Sequence, residues 1–213
     1  MKAKVAIIGK GNVGSAIMRG LERVGYDVRA VGKEPGRARE TAAWGDMLIL
    51  AVPFAEIDNS LAEIGNAVNG KTLIDVTNPL TPDYQLAVGC TTSGAEELQK
   101  KAPRAKVVKA FNTVFAQNMA TGQVKGTKLT FFAAGDDEGA KREVLEIGRA
   151  LGFEPVDAGP LEHARWLETL GYFNIQLGYT LKMGTDIGFK VVGVESAPSA
   201  ARVHADRSTR KRS

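Results

Sequence analysis

The chain has 213 residues, 44% of them apolar, one cysteine and a formal net charge of +4, which suits one buried core. A lone Cys90 excludes an internal disulfide. The longest apolar run, Met47 to Val52, ends at Pro53, well short of the roughly 20 residues that span a bilayer. The positive charge is local: Arg202 to Ser213 holds five Lys/Arg and one Asp, so the preceding residues balance. Basic pI is therefore no argument for a nucleic-acid partner. The first residues run straight into a strand pattern rather than a charged stretch with a cleavage site, so no targeting leader is expected. A cytoplasmic location with no membrane or nucleic-acid partner is expected.

In chain order, Val5–Ile8 reads as a buried strand, followed by the turn Gly9-Lys10-Gly11-Asn12-Val13-Gly14. Val13, Ala16, Ile17, Gly20, Leu21 and Val24 then recur at helical spacing, with Gly25 where a left-handed stop belongs. Further apolar runs at Val28–Val31, Met47–Val52, Thr72–Val76, Val107–Phe111, Leu129–Ala134 and Phe153–Val156 alternate with helical patterns. Runs apolar at nearly every position are expected of parallel strands covered by helices on both faces. The pattern predicts an α/β fold: a Rossmann-type, doubly wound, mostly parallel sheet in a single domain over residues 1–192.

Leu167, Leu170, Phe173, Leu177 and Leu181 predict one last helix over residues 161–183. Gly171 and Gly178 either weaken it or admit a closely packed backbone, and they are compatible with a homodimer. No helical second domain is expected after it. The Ala/Ser/Arg-rich segment 193–213 has no apolar periodicity and is expected to be a disordered basic tail.

The glycine turn matters because of its context, between a buried strand and an amphipathic helix. Gly9 permits the tight turn, Gly11 leaves room for a pyrophosphate, and Gly14 lets helix and strand approach. Free N–H groups at the helix start would face the phosphates. At the end of the second strand, Gly32 stands where NAD enzymes place an acid, with Lys33 next and Arg37 one turn on. This favours the 2′-phosphate of NADP, although Glu34 would become a ribose ligand after a one-residue shift.

Ligands of open α/β sheets bind beyond the carboxyl ends of the strands. Thr77, Asn78, Asn112 and Thr113 lie at such ends and either meet a ligand or satisfy local turns. No acid–base pair and no metal-ligand spacing is visible, so no catalytic residue is expected. His163 is read as an exposed residue at the helix start, with proton donor as the alternative. Hydride transfer between two cofactors needs alignment more than an enzyme acid.

Together "IIGKGNVG", "LAVPF", "DVTNPL", "KVVKAFNTV", "AAGDDEGAKREV" and "LGFEPVDAGPLEHARWLETL" resemble the NADPH-dependent coenzyme F-420 reductases and their bacterial relatives over nearly all of residues 2–192. The resemblance implies NADP(H) as cofactor and a deazaflavin or flavin as second substrate, laid against the nicotinamide in a cleft finished by the C-terminal helix. By the same resemblance, Gly9, Lys10, Gly11, Asn12, Val13 and Gly14 hold the pyrophosphate. Gly32 and Lys33 take the 2′-phosphate, and Val52 and Pro53 flank the nicotinamide. Where members often carry Ser-Arg, this chain carries Gly32-Lys33, and a lysine lacks arginine's bidentate fork. Only fourteen residues separate Gly32 from Met47, where members usually place a further strand. The implied function is NADP(H)-dependent oxidoreduction of a small-molecule redox substrate; a non-catalytic NADP(H)-binding sensor module is the alternative.

Overall fold

The computed structural model describes residues 2–34, 36–89 and 91–193. The basic segment expected to be a tail therefore lies, apart from Gly193, outside the described residues, as do Cys90 and His204. The order of elements is β1 (Lys4–Ile8), α1 (Asn12–Arg23), β2 (Asp27–Val31), α2 (Arg37–Trp44), β3 (Met47–Leu50), α3 (Ile57–Ile64), β4 (Thr72–Asp75) and α4 (Gly94–Lys101). There follow β5 (Lys106–Ala110), α5 (Ala116–Met119), a small hairpin of β6 (Gln123–Val124) and β7 (Thr127–Lys128), β8 (Thr130–Gly135), α6 (Glu138–Leu151), β9 (Glu154–Asp157) and α7 (Ala164–Ile175).

Seven strands form one sheet in the order β2-β1-β3-β4-β5-β8-β9. Every pairing is parallel except β5 with β8, as the mostly parallel, doubly wound expectation requires. Alternate side chains of one strand feed two cores: Val5 and Ile7 join α1 and α6 residues, while Ala6 and Ile8 join α2, α3 and α4 residues. This two-sided burial is why the strands read as apolar runs. Between β2 and β3 the chain builds only α2, which leaves β2 at the sheet edge. The chain leaves β1 toward β2 on one side and later adds β3 on the other. That reversal opens the crevice in which such sheets bind ligands.

The last helix differs from its expected form. A 3-10 turn at Leu161–His163 leads into α7, and its continuation at Gln176–Thr180 widens into a π-helix, with Leu181 N–H donating to Gln176 O at 2.9 Å. The helix therefore ends three residues early, where Lys182 turns at φ +55. Its inward face is also different. Ala164, Leu167, Glu168, Gly171, Asn174 and Gly178 are buried, whereas Phe173 and Leu181 of the expected apolar stripe are 52% and 63% exposed. Polar bonds and small residues decide the orientation. Asn174 Nδ2 donates to Thr113 O at 3.1 Å, and a Cβ on Gly171 would sit 2.5 Å from Asn78 Oδ1. The two glycines thus admit this chain's own strand-end loops.

Glu168 belongs to a fully enclosed charge cluster. Lys109 Nζ donates to Asp75 Oδ2 at 2.9 Å and to Thr77 O at 2.6 Å, and lies 2.9 Å from Glu168 Oε1. Glu168 also accepts the N–H groups of Gly94 and Ala95 at the start of α4. Burial disfavours the charged Lys109, but Asp75 and then Glu168 outweigh it and hold its pKa above the ordinary lysine value. One ammonium therefore ties β4, β5, α4 and α7 together.

Replacing Lys109 with Met should cost about 3–5 kcal/mol in urea unfolding, because two buried carboxylates lose their counter-charge; an additional Asp75→Asn, Glu168→Gln pair should recover part of that loss. Gly171→Ala should destabilise by about 1–3 kcal/mol through overpacking, despite a helix-propensity gain of about 1 kcal/mol. Phe173→Ser on the outer face should stay within about 0.5 kcal/mol of the parent in the same measurement.

Candidate functional site

The glycine turn joins β1 to α1, and its shape follows from two close approaches. Gly9 has φ +107 and lies so near β3 that a Cβ would stand 2.1 Å from Ala51 O. A Cβ on Gly14 would stand 1.9 Å from Gly9 O. Gly11 is different, with no atom within 4 Å of its missing Cβ. Gly9 and Gly14 therefore build the turn, while Gly11 faces open space that a ligand can enter. Gly11 is also the N-cap of α1, and no side chain caps that terminus. Its first-turn N–H groups, unmatched within the helix, form an electropositive cradle suited to a phosphate.

That cradle opens into a cleft of about 610 Å³ lined by Gly9, Lys10, Gly11, Gly32, Lys33, Val52 and Pro53 among others. A second hollow of about 330 Å³ shares Gly11, Val52 and Pro53 and adds Asn12, Val13, Thr77 and Asn78. The two form one trough across the carboxyl ends of β1, β3 and β4. The larger cleft carries all the titratable groups, with Lys10 and Lys33 beside the glycine turn and the end of β2 and with Glu56 and Glu63 also in its lining, whereas the residues of the second hollow carry no titratable side chain. A dinucleotide fits this division: a phosphate-bearing half against the lysines and an uncharged ring against the strand ends.

Eleven of the fourteen binding residues expected from the sequence thus meet along one trough, and Gly14 lies beneath it as a spacer. Arg37 stands outside the lining. It starts α2, is largely exposed and pairs with Glu40 at 3.3 Å, a contact worth little on a surface. Asn112 also differs from its expected ligand role. It is buried, and its Nδ2 donates to Leu167 O at 2.8 Å and to Asn78 Oδ1 at 3.1 Å. In return Asn78 Nδ2 donates to Asn112 O at 3.1 Å. Asn112 therefore positions Asn78, which does line the second hollow. Thr113 is buried and its carbonyl serves α7. Thr77 has a buried hydroxyl with no partner among the described residues, at the wall of that hollow.

His163 lines neither part of the trough; its Nδ1 lies against Ala158 O and its ring stacks on Trp166. The sequence reading found no acid–base pair and did not foresee the buried Lys109 cluster, which is a structural ion group. It has no exposure to the trough, with Lys109 and Asp75 side chains wholly enclosed. The available signal was a lysine inside the apolar strand "KVVKA" at the same sheet level as an aspartate in "LID", a register now seen as Asp75 opposite Lys109. Arg165 clamps the helix from outside through Glu96, with contacts of 2.9 and 2.6 Å. Chiefly through hydrogen bonds from Arg165, the Glu96 carboxyl is held below its usual range. Among the described residues no group of three or more His, Cys, Asp or Glu could hold a metal ion, and no helix is long and apolar enough to cross a membrane.

Residues 4–79 match the family described as NADP oxidoreductase, coenzyme F420-dependent. The chain is 31% identical over 179 residues to the metalloreductase STEAP3 of Rattus norvegicus, an alignment covering 78% of this chain and 36% of that protein. It thus spans about a third of the length of the metalloreductases it matches. To the F420-dependent NADP reductase of Methanocaldococcus jannaschii it is 25% identical over 182 residues, covering 82% of this chain and 79% of the relative. Among solved structures, an inferred F420-dependent NADP reductase from Arthrobacter sp. FB24 superposes with a TM-score of 0.82 at 27% identity, covering 89% of this chain and 99% of that one. The resemblance carried by the glycine turn and the strand-end motifs is therefore borne out as a similarity to the coenzyme F420-dependent NADP oxidoreductases.

Proposed function

We propose that the chain is an NADP(H)-dependent oxidoreductase that passes a hydride between NADPH and a deazaflavin such as coenzyme F-420, or a flavin-like acceptor. The observation that carries this reading is the continuous trough, with an uncapped glycine turn and two lysines at one end and an uncharged, strand-end hollow at the other. The residues present fit the dinucleotide: Gly11 leaves space for a pyrophosphate where any larger residue would intrude. Lys10, Lys33 and the N–H groups of Gly11 to Val13 would hold the phosphates. Val52 and Pro53 would wall the nicotinamide, and Thr77 and Asn78 offer it hydrogen-bonding groups.

When bound, the reduced nicotinamide supplies one hydride with its electron pair, and the acceptor gains two electrons and takes a proton from solvent. The protein's part in this reading is alignment and exclusion of water. The absence of a titratable side chain among the residues of the second hollow suits a transfer that needs no enzyme acid. The same observation supports the alternative of a non-catalytic NADP(H) sensor. A cytoplasmic setting and a small-molecule redox partner accompany the enzyme reading.

Titration with NADPH and NADH by nicotinamide fluorescence, followed by coenzyme F-420, FMN or a ferric chelate while absorbance at 340 nm is recorded, separates the two. Rapid acceptor-dependent oxidation is expected and names the acceptor class. Stoichiometric binding with no oxidation by any of them would leave the sensor. Gly11→Val should abolish nucleotide binding while thermal unfolding stays unchanged, since its Cβ meets no protein atom. Lys33→Ala should weaken NADPH by about 1–2 kcal/mol and leave NADH nearly as before; equal losses would remove Lys33 from the 2′-phosphate.

A further inference from the structure

The end of β2 holds an unexpected occupant. Glu34 folds back so that its Oε2 accepts the N–H of Gly32 at 2.7 Å. Gly32 and Lys33 line the cleft beside Lys10, so this carboxylate stands at the mouth of the site where the nucleotide reading places a 2′-phosphate. Its surroundings are those of an anion seat. The backbone N–H groups of Glu34 itself and of Gly32 are the main cause that holds the carboxyl below its usual range, and Lys10 and Arg37 add attraction. Glu34 is fully exposed, and its side chain makes no ion pair within 4 Å among the described residues. Rotation of one side chain would clear the seat without disturbing a packed neighbour.

The two ligand classes make opposite demands on such a group. A 2′-phosphate needs the same donors and cations and is repelled by a carboxylate beside it. A ribose 2′-hydroxyl is a donor, and a carboxylate at the end of the second strand is a suitable acceptor for it. We propose that Glu34 is a specificity-determining residue that occupies the anion seat at Gly32, must swing out for NADP(H), and when seated accepts the 2′-hydroxyl of NAD(H). The chain therefore discriminates between the two nucleotides less than its lysines alone would dictate. This inference rests on the proposed nucleotide site and adds what governs its selectivity.

The test compares dissociation constants for NADPH and NADH in the full chain and in Glu34→Gln and Glu34→Ala, by nicotinamide fluorescence. Glutamine keeps an oxygen for the Gly32 N–H and removes only the charge, whereas alanine empties the seat. Both variants should bind NADPH about five-fold more tightly, a factor set by removing one like charge near a phosphate at solvent-exposed range. NADH should weaken several-fold in Glu34→Ala and change less in Glu34→Gln. NADPH affinity unchanged or reduced in both variants, with the parent still binding nucleotide, would overturn the role of Glu34 and leave the site standing. Failure of the parent to bind either nucleotide would overturn both. Unchanged thermal unfolding of the two variants shows that neither result comes from a misfolded loop.

Discussion

A single buried ammonium sets the geometry on which the rest of this molecule depends. Lys109 stands inside a central strand, where an unpaired charge would be prohibitively costly, and it is surrounded by Asp75, Glu168 and the carbonyl of Thr77. Because those partners come from the end of β4 with its following loop and from α7, satisfying one lysine on β5 brings two distant parts of the chain into register with that strand. Such clusters add less stability than their number of bonds suggests, since desolvation opposes them. The partners of Lys109 go with one rotation of α7, the one that turns Glu168, Gly171 and Asn174 inward.

The docking of α7 in turn determines the strand-end half of the trough. Gly171 packs on Asn78 and Asn112, and Asn112 holds the carbonyl of Leu167. Asn78 is thereby fixed at the wall of the hollow that continues from the glycine turn. The other half needs no such support, because it is made from backbone: a left-handed Gly9, a Gly14 pressed on Gly9, and helix N–H groups left free. The two halves also differ in charge, with Lys10, Lys33, Glu56 and Glu63 lining one and no titratable side chain among the residues lining the other. In the proposed reaction the charged half would bind and the neutral half would hold the transferring ring.

Much of this was legible before any coordinates. All seven strands of the sheet begin and end within two residues of the apolar runs that announce them, and the inner ones read most plainly because burial on both faces favours apolar residues along most of their length. The glycine turn was equally plain, since strand, turn and helix are contiguous in sequence. Less legible was the face of the last helix: Phe173 and Leu181 continue its leucine periodicity, yet the inward face is polar and small. Periodicity records hydrophobicity, and here orientation is decided by hydrogen bonds to distant residues. The two readings of Asn112 stayed open for the same reason, since its partner Leu167 lies 55 residues away.

The sequence by itself determined the local matters: the strands, the first helix with its glycine stop, the phosphate cradle and the shortened passage from β2 to β3. Each depends on residues adjacent in the chain, whose conformational limits do not change with context. Tertiary structure alone decided which acids answer Lys109 and that Arg37 stands outside the trough lining while Lys33 enters it. Charge and hydrogen-bond partners are chosen by distance in space, and sheet order brings together residues that the chain order keeps apart.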